Sequence, residues 1–150
     1  MWFTGRILDV DLETSLCWGR LQGKAEQAGV SIVWNPERPA PAMIDPPRMR
    51  QVLLNLVMNA IEALPRGGCV KPSVAALADG GAEIVVWDDG PGMPADVVEK
   101  AFLPFFTTKA RGTGLGLSIV QKIVQAHHGR VTLSSEPGKG TRIAITLPPP

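Results

Sequence analysis

The chain has 150 residues, a net charge of +1 and 45% hydrophobic residues, as expected for one ordinary globular domain. This charge balance argues against a general nucleic-acid-binding protein, which would carry an excess of basic residues. No apolar run approaches the roughly 18 residues of a membrane helix and no signal-peptide pattern is present, so we predict a cytoplasmic domain without direct membrane contact.

The first third of the chain is predicted to form a helix and a strand. Residues 11–28 are typical of a moderately amphipathic helix, and Gly29 ends it. A strand is predicted over 30–34, followed by a proline-rich connection through Pro41. The two cysteines, Cys17 and Cys69, lack metal-ligand spacing and are predicted to be reduced thiols.

The next predicted helix carries a row of polar side chains. Asp45 and Pro46 are typical of an N-cap and a first helical position, and the helix should run to about Leu64. The polar residues recur every three or four positions and so share one face: Arg48, Gln51, Asn55, Asn59 and Glu62. The residues expected toward the core are Leu53, Leu56, Val57, Ala60 and Leu64.

Two asparagines one turn apart on that face suggest a use for their amide oxygens. Asparagine is a poor helix former, and solvated faces favour Lys, Glu and Gln. A hard cation such as Mg²⁺ takes oxygen ligands together with substrate phosphates and water. The alternative is an ordinary solvated face.

The second half is predicted to contain two hairpins and, between them, a helix that ends near His127. The strands of the hairpins are expected over 70–77 with 82–87 and over 131–134 with 142–147. Pro72 weakens the first of these strands or places it at a bulge or edge, because proline cannot donate to the ladder. Helices mixed with hairpins predict an α+β sandwich with helices on one face of the sheet.

A glycine-rich run at 112–117 precedes that helix and indicates an anion site. Glycine near a helix costs roughly 1 kcal/mol against alanine, so three in alternation need a reason. Backbone without Cβ atoms can approach a phosphate closely, and the N–H groups of a first helical turn point at it. Charge and hydroxyl donors would come from Thr107, Thr108, Lys109 and Arg111. The alternative is a flexible loop, and the spacing fits neither Walker A nor the dinucleotide motif.

Asp88 is expected at the end of the strand over 82–87, directly before two glycines. An ionised carboxylate can accept the exocyclic amine of adenine, while Gly90 and Gly92 would let the ring lie against the backbone. A buried donor left unpaired costs about 1–3 kcal/mol, so such an aspartate would discriminate against guanine. A tight turn is the alternative.

In this order the motifs closely resemble the catalytic and ATP-binding domain of bacterial sensor histidine kinases, within the gyrase, chaperone, histidine kinase and MutL superfamily. The matching segments are the asparagine box at 51–60, the first glycine box at 88–92, the phenylalanine box at 102–106, the second glycine box at 112–117 and the last at 138–141. The resemblance covers about 9–147, implying one domain over 1–150 with a tail at 148–150. It implies a Bergerat-type α+β sandwich, whose mixed five-stranded sheet has three helices on one face and ATP under a short mobile lid.

The resemblance also implies roles for single residues. Asn59 matches the magnesium ligand, Asn55 the asparagine near the phosphates, and Asp88 the adenine-binding aspartate. Thr141 matches the hydroxyl that supports adenine through water, and Asn55 and Lys109 would assist phosphoryl transfer. Further nucleotide contacts are expected from Gly90, Gly92, Phe105, Thr107, Thr108, Lys109, Gly112, Thr113, Gly114, Leu115, Gly116 and Leu117.

The family's phosphoacceptor histidine lies on a separate dimerising hairpin, and the two histidines here, His127 and His128, stand where the family has no acceptor. The resemblance therefore implies a monomeric domain that transfers the γ-phosphoryl of Mg²⁺–ATP to that hairpin, with a response regulator downstream. An ATP-driven clamp is disfavoured, because Asn55 stands where clamp relatives carry a water-activating glutamate. An ATP-sensing interaction module without catalysis stays open.

Overall fold

The structure is a computed structural model that describes residues 6–9, 18–36 and 40–150. Its elements in chain order are β1 (Arg6–Asp9), α1 (Trp18–Ala28), β2 (Val30–Ile32), β3 (Asn35–Pro36), β4 (Pro41–Ile44), α2 (Pro46–Glu62), β5 (Gly68–Ala76), β6 (Ala82–Asp88), α3 (Ala95–Lys100), α4 (Gly116–Ala126), β7 (Arg130–Ser135) and β8 (Thr141–Leu147). The early part of the predicted first helix and Cys17 lie outside the described residues. Cys69 is a free thiol.

The main sheet is mixed and has the strand order β2-β5-β6-β8-β7. β2 runs parallel to β5, and the other neighbours are antiparallel. β3 continues β2 along the same edge of β5 in the same register, since Ile32 pairs with Val70 and Asn35 with Ser73. The predicted mixed five-stranded sheet is therefore confirmed.

A second, two-stranded antiparallel sheet joins β1 to β4, and the sequence analysis did not predict it. We expected the proline-rich connection to reach Pro41 without a strand, whereas β4 begins at that residue. Proline is tolerated as the first residue of a strand. The proline-rich composition therefore gave no sign of β4, which forms by pairing with β1, far away in the sequence.

Pro72 lies inside β5, between two neighbouring strands, and not at a sheet edge. Backbone groups of a strand alternate between its two neighbours, and the Val70 carbonyl accepts from the Val33 N–H at 2.9 Å on the β2 side. The Pro72 nitrogen, two residues on, therefore faces that side too, where pairing is interrupted between β2 and β3. This gap accommodates the missing N–H, and the proline ring is buried in the core.

The helices cover one face of the main sheet. α2 packs against α1 and α4 and lies on β5 and β6, and the short α3 contacts β7. Each core-facing residue predicted on α2 and at its end is buried: Leu53, Leu56, Val57, Ala60 and Leu64. Asp45 caps α2, as predicted, by accepting from the Arg48 N–H at 3.3 Å. Within the described ranges, no helix is long and apolar enough to span a membrane.

His127 joins the end of α4 to the start of α2. Its ring is 3% exposed, and its Nε2 accepts from the Asp45 N–H at 3.0 Å. Since a backbone N–H can only donate, Nδ1 must carry the proton and donate to the Ile123 carbonyl at 2.7 Å. Both ring nitrogens are therefore engaged within the fold.

Candidate active site

The polar face of α2 meets the first turn of α4. Asn55 Nδ2 donates to the Gly116 carbonyl at 3.4 Å, and a Cβ on Gly116 would lie 3.7 Å from Asn59 Nδ2. α4 begins there without a side-chain cap, and the N–H groups of a first turn have no partner inside their own helix. The asparagine pair and an anion-attracting helix end therefore stand side by side.

Lys109 reaches the same face of α2 from the loop at 107–113. Its Nζ donates to Asn59 Oδ1 at 3.3 Å and forms an ion pair with Glu62 Oε2. Two side-chain oxygens, one turn apart on α2, thus converge on one cationic group. An amide oxygen and a carboxylate oxygen around a positive charge are a donor set that fits Mg²⁺.

The three positions 112, 114 and 116 are glycines for different physical reasons. Gly114 has φ +70°, and a Cβ there would lie 2.4 Å from the Phe105 carbonyl carbon. The Phe105 N–H donates to the Gly114 carbonyl at 2.9 Å, which closes the base of the loop. A Cβ on Gly112 would lie 2.5 Å from Thr107 Oγ1, while one on Gly116 would meet only Asn59, at van der Waals distance. Gly116 is thus the one of these three glycines that no close contact within the protein requires.

The lid residues predicted to bind nucleotide are mostly turned to solvent. Thr107 Oγ1 accepts from the Lys109 N–H at 3.0 Å, and Thr113 Oγ1 accepts from the Leu115 N–H at 3.3 Å. The Phe105 side chain is 76% exposed, and Thr108 is also exposed. Of the lid side chains, Lys109 is the one that the structure brings to α2.

Every residue of the segment 107–112 is exposed, so the structure predicts easy proteolysis there. Trypsin should cut after Lys109 or Arg111 in the nucleotide-free protein, because a segment with little buried apolar contact opens readily. An Mg²⁺–ATP analogue should slow these cuts, as followed by mass spectrometry, and Lys122 inside α4 is the internal control. Cutting at an unchanged rate with the analogue would contradict a nucleotide-responsive lid.

Asp88 is a buried carboxylate at the end of β6, 5% exposed. Its Oδ1 accepts from the Gly90 N–H at 2.9 Å, and Thr141 pairs with it across the sheet. Burial is the largest cause that raises the pKa of Asp88 above its ordinary value of 3.8, and the negative charge of Asp89 raises it further. The backbone hydrogen bonds from Gly90 and Thr141 act in the opposite direction and lower this pKa. An ionised carboxylate has lone pairs beyond those that these two backbone bonds use.

Two glycine-rich loops pack backbone to backbone beside Asp88. A Cβ on Gly92 would lie 1.9 Å from the Glu136 carbonyl oxygen, and one on Gly140 would lie 2.0 Å from that of Asp88. The Gly138 N–H donates to the Pro91 carbonyl at 2.7 Å. We expected Gly90 and Gly92 to let a base lie against the backbone. At Gly92, the close approach of the Glu136 carbonyl by itself already requires a residue without a Cβ.

Both parts of the site lie along α2. A Cβ on Gly90 would lie 2.7 Å from Asp88 Oδ1 and 3.3 Å from the carbonyl oxygen of Ala63, the C-cap of α2. Asn59 and Asn55 lie one and two turns before Ala63 on the same helix. α2 therefore aligns the Asp88 side of the site with the Lys109 side.

Ser135, which the residue pattern did not indicate as a site residue, connects the two loops. Its Oγ contacts the Met93 nitrogen at 2.8 Å, the Gly140 carbonyl at 2.9 Å and Thr141 Oγ1 at 2.9 Å. Ser135 pairs with Thr141 across β7 and β8. The predicted strands over 131–134 and 142–147 each stopped one residue short of this pair. The residue pattern therefore did not place the Ser135 hydroxyl next to Thr141.

The family described as histidine kinase-, DNA gyrase B- and HSP90-like ATPase matches residues 44–150, the range that contains every candidate site residue. The chain belongs to this family. This chain is 46% identical over 104 residues to the sensor histidine kinase ZraS of Klebsiella oxytoca, and the matched region covers 69% of this chain and 22% of that protein.

Solved structures agree with the family. The catalytic domain of histidine kinase ThkA is 31% identical to this chain, with a TM-score of 0.80 over 95% of each chain. ThkA in complex with the response regulator TrrA is 26% identical, with a TM-score of 0.81 over 97% of this chain and 42% of that one. The predicted resemblance and fold are confirmed.

Proposed function

We propose that this domain binds Mg²⁺–ATP and transfers the γ-phosphoryl group to a histidine on a separate dimerisation hairpin. The observation that carries the proposal is the contact of the Lys109 ammonium with Asn59 Oδ1, beside the N-terminus of α4. A cation-holding oxygen and an anion-attracting helix end are thereby adjacent, as a magnesium–phosphate group requires.

Each part of the site would then have one task. Asn59 would hold Mg²⁺, which neutralises charge on the β- and γ-phosphates. Lys109 and the backbone of 112–117 would contact the phosphates, with Thr107, Thr108 and Thr113 within the lid that covers them. Asp88 would accept the adenine amine, and Thr141 would support the base through water.

The transfer itself would be a displacement at the γ-phosphorus. The lone pair of a neutral imidazole nitrogen forms the N–P bond while the bond from phosphorus to the β,γ-bridging oxygen breaks. That oxygen leaves with the bonding electrons on ADP, and the proton on the other ring nitrogen is lost to solvent. Positioning and charge neutralisation by Lys109 and the helix end would be the main contributions of this domain.

Asn55 supports transfer over hydrolysis. An amide cannot act as a general base toward water, and its Nδ2 is engaged with the Gly116 carbonyl at 3.4 Å. We infer that Asn55 assists by holding the first turn of α4 against α2. The lack of a general base at this position favours a kinase over an ATP-driven clamp.

The acceptor histidine would have to come from outside the chain, whose two histidines are His127 and His128. His127 is buried with both ring nitrogens bonded. His128 follows the far end of α4, an 11-residue helix that places it about 16 Å from Gly116 at 1.5 Å per residue. Neither ring is available to a phosphate at the start of α4.

The isolated chain should therefore not label itself from ATP, and its ATP hydrolysis should be very slow. Incubation with ATP labelled in the γ-phosphate, followed by gel analysis under alkaline conditions, checks the labelling. Chromatography of the labelled phosphate released into solution checks the hydrolysis. A His128→Gln variant serves as a control and should behave as the wild type does. Acid-labile label on His127 or His128 would contradict the proposed acceptor in trans.

Transfer is tested by a chimera in which the acceptor hairpin of a similar histidine kinase precedes this domain. The hairpin histidine should gain acid-labile label, and the label should disappear when that histidine is replaced by glutamine or when Asn59→Ala is introduced. ATP binding without any transfer would favour an ATP-sensing interaction module.

We further infer that the whole protein serves a downstream response regulator, since ThkA has been solved with the response regulator TrrA. In this reading residues 1–150 are one cytoplasmic catalytic domain, monomeric when isolated, that contacts neither nucleic acid nor membrane. Sedimentation of the isolated chain checks the oligomeric state.

A further inference from the structure

Ser135 lies behind the candidate base site and makes three hydrogen bonds there. It is half-buried in β7, and its Oγ contacts Met93 N at 2.8 Å, the Gly140 carbonyl at 2.9 Å and Thr141 Oγ1 at 2.9 Å. The partners come from the loop after Asp88 and from the loop before β8.

The chemistry of the partners determines where each proton lies. A serine hydroxyl has one proton to donate and two lone pairs. The Met93 N–H can only donate and the Gly140 carbonyl can only accept, so the Ser135 proton goes to Gly140. The bond between the two hydroxyls then has Thr141 as its donor.

With its proton directed at Ser135, Thr141 offers only lone pairs to any other partner. Thr141 pairs across the sheet with Asp88, whose carboxylate also offers only lone pairs when ionised. Two neighbouring side chains of the site therefore present acceptors alone.

Resting on the proposed ATP binding, we propose that Ser135 is a positioning residue that makes the site select a purine with an amino group over one with a keto oxygen. Ser135 does so by keeping Thr141 an acceptor. An exocyclic amine donates to such a site directly or through water, whereas a keto oxygen meets only lone pairs. Without the Ser135 hydroxyl, Thr141 can rotate its proton toward a keto oxygen.

The test compares the affinities for ATP and ITP by calorimetry on the wild type and Ser135→Ala. The two bases differ in the amine or keto group at C6 and in the proton that hypoxanthine carries on N1. The wild type should prefer ATP, and Ser135→Ala should lower the ATP-to-ITP preference about twofold to tenfold, the range of one neutral hydrogen bond. ITP should bind as well as before or better, which a merely loosened structure would not produce.

Matched variants connect the effect to Thr141. Ser134→Ala, the exposed neighbour in β7, and Ser135→Thr, which keeps a hydroxyl, should retain the wild-type preference. Thr141→Val should lower the preference as Ser135→Ala does, and adding Ser135→Ala to it should change nothing further. If Ser135→Ala does not fold, as judged by thermal melting, Ser135→Cys, whose thiol is only a weak donor and acceptor, takes its place in the same comparison.

The possible results separate this inference from the proposed function. A wild type that binds neither nucleotide would overturn both. A wild type that prefers ATP, with the same preference in Ser135→Ala and Thr141→Val, would overturn only the role of Ser135. An equal loss of ATP and ITP affinity in Ser135→Ala would show that Ser135 acts on the fold alone.

Discussion

Asp88→Asn should weaken ATP binding about tenfold to a hundredfold while the domain stays folded at neutral pH. Asparagine keeps the shape and can still accept from the Gly90 N–H, but it replaces an anionic acceptor by a neutral amide. A hydrogen bond to a charged group is worth roughly 1.5–3 kcal/mol, which corresponds to this loss. GTP, which the carboxylate does not favour, should bind nearly as before.

The difference in stability between Asp88→Asn and the wild type should change with pH in favour of the variant as the pH rises. The folded domain raises the pKa of Asp88 above 3.8, chiefly by burial, so the folded state binds this proton more tightly than the unfolded state does. The free energy of unfolding therefore falls as the pH rises from the unfolded pKa through the folded one. The stability of Asp88→Asn relative to the wild type should then be greater at pH 7 than at pH 4.

Asp79→Asn is the matched control for these measurements. Asp79 Oδ1 accepts from the Gly81 N–H at 2.9 Å, the same bond to the second following glycine that Asp88 makes with Gly90 at 2.9 Å. Asp79, however, lies exposed in the β5–β6 turn. Denaturant unfolding at both pH values and calorimetry with ATP and GTP complete the comparison. If Asp88 only shapes its turn, Asp88→Asn will be less stable and will keep the ATP-to-GTP preference.

Asn59→Ala should abolish the gain in ATP affinity that Mg²⁺ produces in the wild type. Removing a hydrogen-bond partner of a metal ligand already costs roughly tenfold to a hundredfold in metal affinity, and removing the ligand oxygen should cost at least as much. Calorimetry with ATP, with and without Mg²⁺, measures the effect. Asn55→Ala is the comparison one turn away, and its ATP affinity should fall while still depending on Mg²⁺. Equal Mg²⁺ dependence in the wild type and Asn59→Ala would remove Asn59 from the metal site.

Binding of Mg²⁺ at Asn59 would also move the lid. Two cations repel each other on one oxygen, so Lys109 has to leave Asn59 Oδ1 when a metal arrives. Its ion pair with Glu62 joins side chains that are 39% and 49% exposed, and exposed pairs contribute only about 0–1 kcal/mol. Lys109 is therefore free to exchange these oxygens for a phosphate, which connects metal binding to the protection of 107–112 from trypsin.

Much of the local structure follows from residue order alone. The spacing of Leu53, Leu56 and Val57 determines which side of α2 is buried, because a helix repeats every 3.6 residues. Asp45 and Pro46 determine where that helix begins. The boxes also identify the family, since five short motifs occur in the expected order.

The tertiary structure decided the contacts between distant parts of the chain. Lys109 meets Glu62 across 47 residues, Met93 meets Ser135 across 42, and Asp45 meets His127 across 82. Periodicity assigns a side chain to a face but does not select its partner, which depends on how the layers pack. For the same reason the sequence indicated that Gly92 and Gly114 were needed, and only the packed backbones of Glu136 and Phe105 show that the need is steric and internal.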